Sequence, residues 1–175
     1  MILDLPPQSL VKHIMIQAAP VMPPEIWWVT AMVFFILIIT AGIDAFTEVI
    51  PDALIFFGLL AITGMQGMYG SWEVAGNNLR KALLAGVIIW AINQLWYKVF
   101  RNDALGMGDA KWTVLAVACF GLLPSLGAWG IGACLAVVWI LASRLVSYKV
   151  TRVTFAPFLL IGLCTSLYWI RFFQI

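Results

Sequence analysis

Apolar residues gather into six runs separated by short polar links, and this pattern leaves few architectures open to the chain. The runs cover about 26–43, 51–69, 81–99, 109–123, 125–143 and 156–172. Most approach the roughly 20 residues an α-helix needs to cross the hydrocarbon core of a bilayer, with the second and fourth on the short side. Trp27 and Trp28 open the first run, and Trp96 and Tyr97 close the third, at the depth where aromatic side chains favour the headgroup boundary. Charged residues make up only 10% of the chain against 63% hydrophobic, too little polar surface for a soluble domain. The expected fold is all-α, a polytopic membrane bundle of six transmembrane helices. Residues 1–25 form an N-terminal juxtamembrane segment and 26–175 a single membrane domain.

The first 25 residues carry Pro6, Pro7, Pro20, Pro23 and Pro24, and the stretch Ser9–Ala19 is mildly amphipathic, suited to the bilayer surface. Asp4 stands where a secretory leader would be basic. His13, beside Lys12, reads as a headgroup-level residue rather than a ligand. Cys119, Cys134 and Cys164 lie singly inside apolar runs, with no CxxC spacing, so they read as reduced thiols in helices and not as a zinc site. No metal and no cofactor is expected. A net charge of +2 without a basic run gives no footprint for nucleic acid; the expected surroundings are the lipid bilayer. Glycine and alanine recur at Gly58, Gly64, Gly67, Ala85, Gly86, Gly127, Gly130, Gly132 and Ala133, small faces that let helices approach closely in lipid.

Basic residues set the orientation. Lys98, Arg101, Lys111, Arg144, Lys149 and Arg152 fall on one side, against Lys12, Arg80, Lys81 and Arg171 on the other. The first side is therefore expected to be cytoplasmic. On that topology Asp44, at the end of the first span, and Asp109, at the start of the fourth, meet the same face.

An ionisable group at a membrane boundary is costly enough to be a functional candidate. Asp44 sits where a helix ends, poorly placed for the macrodipole, whereas Asp109 opens a helix and is well placed. The sequence thus predicts contrasting surroundings for the two. Brought within a few ångströms, they share one proton and can activate water while protonating a carbonyl oxygen, the equipment of an aspartic protease. In the run Gly106-Met107-Gly108-Asp109-Ala110-Lys111 the glycines are expected to allow a tight turn and a hinge. Glu48 and Asp103 read as solvated loop charges, and Asp52 as a first-turn residue favourable to the dipole.

The ordered set DAFTEVIPD (Asp44–Asp52), GMGDAK (Gly106–Lys111) and FAPF (Phe155-Ala156-Pro157-Phe158) resembles the type IV prepilin peptidases over roughly 35–175. In that family an aspartate precedes a Leu/Ile-Pro-Asp/Asn element, a GxGDxK motif opens a middle helix, and an FxPF-like element begins a late one. The resemblance implies a catalytic pair, Asp44 and Asp109, with Gly106, Gly108, Lys111, Pro51 and Asp52 supporting the active-site loop. It implies a prepilin or pseudopilin substrate, cut between its short basic leader and its hydrophobic N-terminal helix. The place is the cytoplasmic face of a bacterial inner membrane. Larger members insert a cytoplasmic domain with two CxxC pairs and also methylate the new N-terminus; nothing here corresponds to that insert, so methyltransferase activity is not expected. Ala45-Phe46-Thr47-Glu48 also departs from the basic or small polar residues common after the first aspartate.

Two other readings compete. Presenilin-like proteases share GxGD but use a late PAL element that this chain lacks. A non-catalytic transporter, or a scaffold for pilus or secretion assembly, would use its acids to bind cations. Transport sites, however, usually lie in mid-membrane, whereas these acids cluster at one boundary.

Overall fold

In the computed structural model, six helices follow one another among the described residues: α1 (Trp27–Thr47), α2 (Asp52–Tyr69), α3 (Trp72–Phe100), α4 (Met107–Phe120), α5 (Leu122–Leu145) and α6 (Ala156–Phe173). The structure describes residues 27–101, 106–145 and 154–173, so the amphipathic segment expected at the N-terminus lies outside them. Helices α1, α2, α3 and α5 have the length and apolar character to cross a membrane. The protein is a helical membrane bundle, with boundaries that differ from the sequence reading in three places.

Helix α1 continues through Asp44 to Thr47 instead of stopping before it. Helix α3 begins at Trp72, well ahead of the expected Lys81, so the 70–80 loop is replaced by the short link Gly70-Ser71. Local chemistry accounts for this start: the Ser71 hydroxyl accepts the Val74 N–H at 3.1 Å, and Glu73 adds an acid in the first turn. Helices α4 and α5 are parted by one residue, Gly121, at φ 88. That left-handed conformation favours glycine, and it reverses the chain before Pro124, which falls in the first turn of α5.

The shortest of these six helices lies deepest. Helix α4 has 14 residues, and Trp112, Leu115, Ala116, Val117, Ala118 and Cys119 are all buried. At 1.5 Å per residue it reaches about 21 Å, short of a bilayer core of roughly 30 Å. It packs among Val33, Leu37 and Ala41 of α1, Ile55 and Ile62 of α2, and Leu159 and Leu163 of α6. Away from its N-terminus, the Gln66 side chain donates to the Ala118 carbonyl at 3.0 Å and accepts from Asn78 at 3.2 Å, tying α2, α3 and α4 together. Cys119 is buried, whereas Cys134 and Cys164 face outward; all three are unpaired.

Small residues bring two pairs of helices close. A Cβ on Gly162 would stand 2.4 Å from the Ala128 carbonyl oxygen, and one on Gly132 would stand 3.1 Å from that of Phe158. These clashes are with backbone, so α5 and α6 form a seam that no larger residue can enter without separating them. Between α3 and α4, a Cβ on Gly86 would meet Val114 Cγ2 at 2.4 Å, with the Ala110 oxygen next nearest. The same contacts fix relative levels. Beyond Gly86, α3 runs on to Phe100, and beyond Gly132, α5 runs on to Leu145, each by roughly 20 Å. Along these extensions Trp90, Leu95, Trp96, Val137, Trp139 and Leu141 are exposed and apolar, up to Lys98 and Arg144 in the last turns.

Candidate active site

Asp44 projects from the last turn of α1 and is buried, at 8% exposure. The helix stops after Thr47 because Glu48 takes φ 56, a left-handed conformation, while its N–H donates to the Asp44 carbonyl at 2.9 Å. Side chains other than glycine adopt that region at a cost of about 1 kcal/mol or more. The Asp44 carboxylate accepts the backbone N–H of Ala156, the first residue of α6, and the Glu48 charge also acts on it. This N–H is free to do so because the opening helical bonds of α6, from Phe158 at 3.0 Å and Leu159 at 3.1 Å, go to the Phe155 carbonyl. Pro157 follows, with no N–H to leave unpaired.

Asp109 sits in the first turn of α4 at 6% exposure. Its carboxylate Oδ2 accepts the Gly106 N–H at 3.1 Å, and its own N–H donates to the Gly106 carbonyl at 3.1 Å. Gly106 precedes the helix in an extended conformation, φ −68 and ψ 145. Neither Gly106 nor Gly108 has a positive φ; among the described glycines only Gly121 does. The tight turn expected from these two glycines is therefore not what the backbone requires. Gly108 instead makes room for a neighbour. A Cβ there would press to 3.1 Å on Ile50 Cδ1 and Cγ1, the buried residue just before Pro51 and Asp52. Its missing side chain lets the link between α1 and α2 lie against α4. Lys111 completes this junction by donating to Asp52 Oδ1.

The two carboxylates lie near enough for their charges to interact. Asp44 is the ionisable group whose charge acts on Asp109. The contrast expected between a helix end and a helix start does not hold, since each carboxylate accepts one backbone N–H where a helix begins: Asp44 from α6, Asp109 from α4. Two buried acids whose charges act on one another resist ionising together.

Further contacts hold the first turn of α4 in place. The Thr113 hydroxyl donates to the Asp109 carbonyl at 2.7 Å and accepts the indole N–H of Trp129, on α5, at 2.9 Å. The Trp129 ring packs on Phe155, with centroids 5.1 Å apart. On the other side the Trp112 indole N–H donates to the Leu37 carbonyl of α1 at 3.4 Å.

The structure thus brings together Asp44, Ile50, Pro51, Asp52, Gly106, Gly108, Asp109 and Lys111, and adds the N-terminus of α6 with its FAPF element. Asp103 lies outside the described residues. Sequence reasoning missed Ala156, Thr113 and Trp129. For Ala156 the available signal was the alanine before Pro157, which keeps an N–H where proline could not. For Thr113 and Trp129 no motif pointed to a role. No protein-family model matches this chain, and neither does any curated protein or solved structure.

Proposed function

We propose that this protein is a membrane-embedded aspartic endopeptidase of the prepilin peptidase type, removing the short basic leader of a type IV prepilin or pseudopilin at the cytoplasmic face of a bacterial inner membrane. The observation that carries the reading is the nearness of Asp44 and Asp109, buried carboxylates on two helices whose charges interact, each with a backbone N–H at a helix start. The three sequence elements that resemble the family converge on that point.

With one proton between them, the ionised member of the pair takes a proton from water as the water oxygen attacks the scissile carbonyl. The protonated member donates to the carbonyl oxygen, giving a neutral tetrahedral diol. Collapse re-forms the carbonyl, breaks the C–N bond and passes a proton to the leaving amine, which restores the pair. Roles within the pair belong to both residues jointly. Glu48, whose charge acts on Asp44, adds negative charge that attracts a basic leader, while the leader's apolar neighbour stays in lipid.

The test is N-terminal sequencing of a prepilin co-expressed with and without this protein. A new N-terminus at the start of the hydrophobic segment supports the reading; an uncut prepilin with well-folded protein defeats it.

A further inference from the structure

We infer that Trp129 is a positioning residue for the carboxylate pair, setting the separation of Asp44 and Asp109 through one hydrogen bond and one ring contact. The inference rests on the protease reading above and deepens it.

Both aspartates hang on the same tryptophan by opposite routes. Towards α4, the indole N–H binds the Thr113 hydroxyl, which in turn binds the Asp109 carbonyl one helical turn earlier. Towards α6, the indole ring packs on Phe155, and the next residue, Ala156, gives its N–H to the Asp44 carboxylate. Asp44 and Asp109 come from helices separated by two others in sequence, and this path links them through α5 and α6.

A threonine within a helix commonly donates back to its own turn, as Thr40 and Thr165 do here at 2.9 and 2.8 Å. Thr113 does this and also takes an N–H from another helix, which uses both faces of one hydroxyl. It is 3% exposed on a helix whose other buried residues, Asp109 apart, are apolar. An alanine or leucine would serve α4 better as a helix former, and an apolar side chain would fill the space without needing a partner. Trp129, for its part, needs an acceptor once its indole is partly buried, and it finds one directly under Asp109. Losing either contact lets the first turn of α4 drift relative to α6, and catalysis by a shared proton falls steeply with such drift.

The experiment uses full-length protein in detergent with a prepilin substrate. Trp129→Phe keeps the ring and removes the donor; Thr113→Val keeps the volume and removes the hydroxyl; Thr113→Ser restores it. We expect kcat to fall about tenfold to a hundredfold in Trp129→Phe and Thr113→Val with KM little changed, recovery in Thr113→Ser, and no further loss in the double variant. A second readout needs no activity: in protein with Cys119, Cys134 and Cys164 replaced, the rate of oxidative cross-linking between Asp44→Cys and Asp109→Cys should fall with Trp129→Phe and Thr113→Val and recover with Thr113→Ser. Unchanged kcat and unchanged cross-linking in both variants would overturn the inference. If the parent protein cuts no prepilin yet the cross-linking pattern appears, the protease reading falls and the tether stands.

Discussion

Lys111 donates to Asp52 across 59 positions of sequence, joining the second turn of α4 to the first turn of α2. The pair closes the junction that Gly108 and Ile50 begin, yet it remains largely in contact with solvent, at 35% and 77% side-chain exposure. An ion pair that exposed contributes about 0–1 kcal/mol. Asp52→Asn and Lys111→Met should therefore fold normally and keep much of the wild-type cleavage rate. A complete loss with Asp52→Asn would show that the junction does more than brace the loop.

The carboxylate pair behaves differently. Asp44→Asn and Asp109→Asn should each abolish prepilin cleavage at unchanged expression, and the double variant should be no worse than either alone, because the two act as a unit. Cleavage by either single variant at the wild-type rate ends the protease reading.

A pair that needs one ionised and one protonated member loses activity at both ends of the pH scale. In acid both carboxyls are protonated and no base remains; in alkali both are ionised and no acid remains. The rate of cleavage by the folded protein should trace a bell, with both limbs assigned to the pair. A plateau continuing to high pH contradicts a proton-sharing mechanism.

The glycines of the Gly106–Lys111 run separate by role. A Cβ on Gly108 meets Ile50 at 3.1 Å, whereas one on Gly106 meets its nearest neighbour, Asp109 Oδ2, at 3.4 Å, an ordinary contact. Gly106→Ala should be close to neutral. Gly108→Ala should slow cleavage, and Ile50→Val added to it should restore part of the rate. Equal sensitivity at the two positions, measured in initial-rate assays, would argue against this packing role.

Glu48 holds a conformation that glycine adopts without cost. Glu48→Gly should stabilise the protein by up to about 1 kcal/mol, read as a higher unfolding temperature in detergent, while Glu48→Ala should not.

Much of this was legible beforehand. Six apolar runs announced the helices, and the order of Asp44, Asp109 and the Phe155–Phe158 element singled out both acids; the boundary expected for them did not foresee that α3 and α5 run on by roughly 20 Å past that level. Boundaries were less readable. Ser71 with Glu73 is a helix-start signal hidden by the polar residues Asn77, Asn78, Arg80 and Lys81, which read as a loop. Gly121 gave no warning that one residue would separate two helices, since a positive φ is a property of the fold. The partner of Asp44 was invisible for a stronger reason: a backbone N–H carries no side-chain signature. The Thr113–Trp129 bond joins residues on different helices, and only packing places them together.

The seam between α5 and α6 has a mechanical consequence. Because Gly132 and Gly162 press backbone against backbone, these helices travel as one piece, and the chain enters that piece from α4 through Gly121 alone. A swing of this two-helix leaf, hung like a door at Gly121 and latched by the Trp129 indole, would draw the Ala156 N–H away from Asp44.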